Sequence, residues 1–163
     1  MTFDNPIALT SGKSEEASTE KKNEKNFPLI DARGPRFGAT ITVLMLSLTL
    51  VFDSALPLLV QGVAFMIGAT FGPQRTPYAF IFKRLIKPRL RGDVPTEDVR
   101  PPQFAQAVGL VFAIFALLGF ASGSDPLFLI ATSMALAAAF LNAAFNYCLG
   151  CEMYLLLTRA FKR

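Results

Sequence analysis

Every Lys and Arg of the chain falls on one side of a four-part apolar pattern. Apolar runs occupy about residues 37–52, 56–71, 104–121 and 127–147. The link between the first two carries only Asp53 as a charged residue, and the link between the last two only Asp125. All 16 basic residues precede the first run, lie between the second and third, or follow the fourth. A soluble domain has no physical reason to sort charge this way. A membrane protein does, because cytoplasmic loops hold back Lys and Arg during insertion. The pattern predicts an all-α, polytopic protein of four transmembrane helices in the inner (plasma) membrane, with both termini and the central loop cytoplasmic.

Composition agrees with that reading. The hydrophobic fraction is 52% and the mean hydropathy +0.42, high for a domain that must keep a wet surface. The alternative is a soluble all-α bundle with apolar hairpins, which leaves the charge sorting unexplained. The first two runs are short beside the roughly 17–25 residues that a spanning helix usually takes. The net charge of +4 is placed around apolar runs, so anionic lipid headgroups, not nucleic acid, are the expected counter-charge. The chain has no His, which excludes His-ligated haem and the commonest transition-metal sites. Neither a cofactor nor a metal is expected. Residues 1–27 are polar, lack the apolar core of a cleavable signal, and read as a disordered cytoplasmic tail. Residues 28–163 form the membrane domain.

The chain repeats itself. Asp31-Ala32-Arg33-Gly34-Pro35-Arg36-Phe37 leads into the first hairpin and Asp98-Val99-Arg100-Pro101-Pro102-Gln103-Phe104 into the second. Both read D-x-R-x-P-x-F. The ends of the hairpins also correspond, with Gly68-Ala69-Thr70-Phe71-Gly72 matching Asn142-Ala143-Ala144-Phe145-Asn146. Two duplicated units follow, at about 31–91 and 98–163, each a lead-in motif, a membrane hairpin and a cytoplasmic interfacial tail. Two crossings per unit start both on the same side, a parallel repeat about an axis near the membrane normal. Pro35 and Pro102 suit the first turn of a helix, where no N–H is needed. Asp31 and Asp98 can accept bonds from nearby backbone N–H groups, and Arg33 and Arg100 mark the level of lipid phosphates. The functional alternative makes these Asp–Arg pairs a polar site between the units. Small residues crowd the second and fourth runs and allow close helix approach. These two helices should therefore meet at the centre, with the Phe- and Leu-rich first and third facing lipid.

The segment 76–91 interleaves aromatic and basic residues. A helix over 78–87 would set its aromatics into the acyl boundary and present Lys83, Arg84, Lys87, Arg89 and Arg91 to headgroups or to a docking partner. Pro88 would end it.

Cys148-Leu149-Gly150-Cys151 is the one reactive-looking motif, and no catalytic constellation accompanies it. A C-x-x-C pair can cycle between dithiol and disulfide when a helix N-terminus or a cation lowers one thiol's pKa. At the cytoplasmic face the thiols should usually be reduced. Glu152 opposes a thiolate, and no cation lies within five positions in sequence. Arg75 and Arg159 are the residues to look to for one. No βαβ pattern precedes the motif, so it is not a thioredoxin fold. Two other readings stand beside redox chemistry: both Cys as small packing residues at a helix end, and half of a metal site shared between two chains. Asn142 and Asn146 stand one turn apart, and Asn142, Asn146 and Gly150 share a face by i, i+4 spacing. With Gln61 they supply the polar groups of an internal cavity. No Asp, Glu, Lys or Arg interrupts an apolar run, which argues against an ion-coupled carrier.

The two lead-in motifs, the loop GPQRTPYAFIFKRLIKPRL and the ending AAFLNAAFNYCLGCEMYLLL resemble a bacterial membrane-protein family, widespread in actinobacteria and known only as a domain of unknown function. The resemblance spans about residues 28–159, and NAAFNYCLGCEMY is its most specific part. It implies a four-helix protein. Some members are encoded near thioredoxin-like or rhodanese-like genes, which implies thiol or sulfur chemistry at Cys148 and Cys151 by association. The sharpest functional expectation is a membrane thiol or sulfur relay with a cytoplasmic thioredoxin- or rhodanese-like partner. The alternatives are a non-catalytic accessory subunit of a larger membrane complex, such as a respiratory one, and a transporter of a small sulfur species.

Overall fold

The structure, a computed structural model, describes residues 29–89 and 96–161. The N-terminal tail and Arg91 lie outside the described residues. Strand β1 (Leu29–Asp31) precedes helices α1 (Arg33–Phe52) and α2 (Ala55–Phe71). A 3-10 turn (Pro73–Arg75) leads to α3 (Pro77–Ile81), which continues as a π-helical turn (Phe82–Ile86) and a 3-10 turn (Lys87–Arg89). Strand β2 (Thr96–Asp98), α4 (Arg100–Ser122), α5 (Asp125–Phe145) and α6 (Leu149–Phe161) complete the fold. Among the described residues three helices, α1, α4 and α5, are long and apolar enough to cross a membrane; α2 is apolar but has 17 residues.

Both hairpins turn in the same way. Asp53 and Gly123 adopt left-handed backbone at φ 46° and 68°. Ser54 N then donates to Thr49 O at 3.2 Å, and Ser124 N to Gly119 O at 2.9 Å. These bonds use carbonyls that a helix end otherwise leaves without partners. Gly at position 123 has no side chain to clash there, and Asp tolerates the conformation better than most residues.

The lead-in motifs start α1 and α4 by one device. Asp31 Oδ1 accepts from Arg33 N at 3.1 Å, and Asp98 Oδ1 from Arg100 N at 3.0 Å. Pro35 and Pro102 fall in the first helical turns. The strands before them pair antiparallel, with Ile30 opposite Glu97. These two residues hold the same place, one before the Asp of each motif. The sixth motif residue reaches across the molecule: Arg36 Nε donates to Ala143 O at 3.0 Å, and Gln103 Nε2 to Ala69 O at 2.8 Å. Each supplies a donor to the last turn of the other hairpin's second helix. The seventh residue packs on the segment following its own hairpin. Phe37 lies 5.7 Å from Phe82 between ring centres, and Phe104 5.8 Å from Tyr154.

Helix pairing differs from the expectation that the second and fourth helices meet. The extensive interfaces run between α2 and α4, α1 and α5, and within each hairpin. The reason is that small residues line the third helix as well. Gly62 faces Ala113, and the Phe65 ring covers Gly109. Ala113 and Ala116 are fully buried beside Leu46, Leu58, Phe128 and Ala131. Large apolar residues such as Leu44, Val63, Phe115 and Met134 point outward instead.

At Gly119 an added Cβ would lie 2.5 Å from the backbone N of Phe128, whereas at Gly38 nothing lies within 4 Å. Gly119→Ala should therefore destabilise the protein in detergent by about 1–3 kcal/mol. Gly38→Ala should be neutral or stabilising, because Ala is the better helix former by roughly 1 kcal/mol. Denaturation midpoints of the two variants check this; equal midpoints would contradict the packing.

Candidate functional site

At the end of the bundle that carries the lead-in motifs, α5 stops before the cysteines. Asn146 takes left-handed backbone at φ 56°, its N–H donating to Asn142 O at 3.1 Å. The chain then starts a new helix, so Gly150 does not continue the Asn142–Asn146 face. α6 instead packs on α4, where a Cβ at Gly150 would lie 2.6 Å from Ala105 Cα. Cys148 is the residue before the first turn of α6, and Cys151 closes that turn. The backbone N–H of Cys151 donates to Cys148 Sγ at 3.3 Å. The two are joined as a disulfide, with Cα atoms 5.2 Å apart. The sequence led to a reduced pair. Adjacent placement in the first turn of a helix brings the two sulfurs within bonding reach, and the structure joins them. Both cysteines are partly exposed.

They line a cleft of about 160 Å³ together with Arg36, Glu97, Asn142, Asn146, Tyr147 and Glu152. Pro35 and Pro102, one from each motif, form part of its wall. The basic residue that lines the cleft with the cysteines is Arg36 of α1, whose Nε is bonded to Ala143 O. Arg75 and Arg159, the residues expected in that role, do not line this cleft. Arg36 could have been found from the sequence, since it is the basic residue at position six of the first motif. The equivalent residue in the second motif is Gln103. Glu97 was also missed; it carries no motif signal and reaches the cleft only because β2 pairs with β1. Burial pushes its carboxyl above the ordinary carboxylate value.

Gln61 does not join Asn142 and Asn146. It is buried between α1, α2 and α3, donating through Nε2 to Thr42 Oγ1 at 2.9 Å and accepting from Tyr78 OH at 3.0 Å. A buried amide with both ends bonded is a structural fastener, because leaving either end unmade carries a desolvation cost. The aromatic and apolar residues of the 78–87 segment do not all face the acyl boundary. Tyr78 and Phe82 are buried against the bundle, while Phe80, Ile81 and Leu85 face outward. Lys83, Arg84, Lys87 and Arg89 are exposed, and Pro88 lies in the final turn of the segment. Asp31 and Asp98 serve backbone N–H groups of their own motifs, as described above.

The sequence matches the family model described as Domain of unknown function (DUF4395) over residues 30–159. The chain belongs to that family. The match covers both lead-in motifs, the four long helices and the C-x-x-C cleft. No curated protein and no solved structure matches it.

Glu97 gives the cleft a pH signature. Its folded-state pKa is raised above the ordinary 4.5 by desolvation. The folded protein therefore holds this proton more tightly than the unfolded chain, and ionised Glu97 lowers stability above the folded pKa. Glu97→Gln removes that effect. The variant should be more stable than the parent at neutral pH, with the difference shrinking as pH falls towards about 4.5. Thermal midpoints across that range check the sign; a variant less stable at neutral pH contradicts it.

Proposed function

We propose that this DUF4395 protein is a four-span inner-membrane thiol relay, in which Cys148 and Cys151 exchange electrons with a cytoplasmic thioredoxin-like dithiol protein. The carrying observation is the position of the pair: a C-x-x-C in the first turn of α6, partly exposed in a cleft with Arg36. In the reduced state the first-turn N–H of Cys151 and the nearby guanidinium favour the Cys148 thiolate. Glu152 and Glu97 oppose it. Cys148 is thus the attacking thiol and Cys151 the resolving one.

The reaction balances as thiol–disulfide exchange. A partner thiolate attacks one sulfur of the Cys148–Cys151 disulfide, that S–S bond breaks, and the other sulfur leaves as thiolate. The partner's second thiolate resolves the mixed disulfide. The partner dithiol becomes a disulfide, and the pair here takes up two electrons and two protons. The reverse sequence passes them to an oxidised partner.

In this reading α1, α2, α4 and α5 cross the bilayer, with the termini and the 73–99 region on the cytoplasmic side. Sorting of the basic residues supports the orientation, and the outward-facing large apolar side chains support the embedding. A length of 17 residues puts α2 at the short limit of about 17–25. Two duplicated units related by a near two-fold along the membrane normal account for the reciprocal bonds of Arg36 and Gln103. They also account for the pairing of Ile30 with Glu97.

Single replacements test the relay. Cys151→Ser leaves Cys148 without its resolving thiol and should trap a mixed disulfide with a cytoplasmic protein, visible on non-reducing gels and lost on reduction. Cys148→Ser should trap little or none. In reduced inside-out vesicles an impermeant maleimide should label Cys148 first. If neither thiol labels after reduction, the relay fails and the pair serves packing, as an accessory subunit would require.

A further inference from the structure

A second cleft, of about 280 Å³, lies at the same end of the bundle but on the first hairpin's side. Its wall is built from the end of β1 (Asp31), the start of α1 (Gly34), the turn after α2 (Gln74), and the segment after it (Phe82, Lys83, Lys87). The Cys cleft carries Glu97 and Glu152; this one carries two lysines against one carboxylate. Each ammonium is only lightly held. Lys83 Nζ donates to Gln74 O at 3.3 Å, and Lys87 Nζ stands 3.9 Å from Asp31 Oδ2. An ammonium has three donors, so both keep capacity for a ligand.

We propose that this cleft binds the headgroup of an anionic, polyol-bearing phospholipid. Lys83 and Lys87 hold the phosphodiester, while the Asp31 carboxylate accepts from headgroup hydroxyls. The volume suits a small headgroup and not a folded segment. The cleft opens where the apolar surfaces of α1 and α2 begin and end, and the outward-facing Phe80, Ile81 and Leu85 beside it give acyl chains an apolar neighbour. Not every basic residue of the segment takes part. Arg84 stacks 5.9 Å from the centre of the Phe80 ring, and neither Arg84 nor Arg89 lines the cleft. The proposal rests on the membrane reading but not on the thiol chemistry.

Full-length protein in a neutral detergent, titrated with phosphatidylglycerol and followed by native mass spectrometry, tests it. The parent should retain phosphatidylglycerol over phosphatidylcholine. Lys83→Gln with Lys87→Gln should weaken retention on the order of thirtyfold, from about fivefold per lysine. Arg84→Gln with Arg89→Gln, which removes the same charge outside the cleft, should change it less than about twofold. Gly34→Leu, which keeps both lysines and fills the space towards Phe82, should weaken retention as the lysine pair does. Equal loss in the two charge pairs means a diffuse basic collar and overturns the site. Displacement by free glycerol phosphate means a soluble phosphate ligand and overturns the lipid. Absence of any retained phosphatidylglycerol in the parent overturns both. A chain that stays in solution without detergent would overturn the membrane reading itself, which the lipid titration alone would not show.

Discussion

Close backbone approach at small residues organises the bundle. In the proposed membrane setting lipid tails are as apolar as Leu, so large apolar side chains gain little by turning away from them towards one another. Dispersion contacts and satisfied hydrogen bonds must decide which faces meet. Gly119 lets α4 meet the start of α5, Gly62 lets α2 approach Ala113, and Gly109 leaves room for the Phe65 ring. The buried polar groups follow the same rule. Thr49 bonds back to Met45 O, and the Thr42–Gln61–Tyr78 chain joins three helices.

The second organising contact is the reciprocal capping by Arg36 and Gln103. The last carbonyls of a helix lack internal partners, and here each hairpin's second helix takes a donor from the other's lead-in motif. This ties the two halves together at one end and places the start of each motif beside the other half's exit. Two clefts result. One carries lysines from the α3 segment, and the other carries cysteines at the start of α6. In the proposed repeat, divergence of the tail after each hairpin is what gives equivalent grooves different chemistry.

Much of this was legible in the residues. The four apolar runs correspond to four helices, and Asp31 and Asp98 lie where a backbone N–H needs an acceptor. The helix partners were not legible, because small residues on α4 compete with those on α2 and α5, and only three-dimensional packing selects among them. The break at Asn146 was missed because Asn is tolerated inside a helix as well as in left-handed backbone. Gln61 looked like a neighbour of Asn142, since periodicity gives a face but not its partner. Arg36 was overlooked as a variable motif position. Its role depends on a contact with Ala143, far away in sequence.

The account stands on orientation: two short links on one side, all basic segments on the other. With Cys148 and Cys151 both replaced by Ser, single cysteines at Asp53, Asp125 and Arg89 report it directly. An impermeant maleimide applied to intact cells should label Asp53→Cys and Asp125→Cys, and should reach Arg89→Cys only after the membrane is opened. Labelling of Arg89→Cys in intact cells, with the two links protected, would contradict the account.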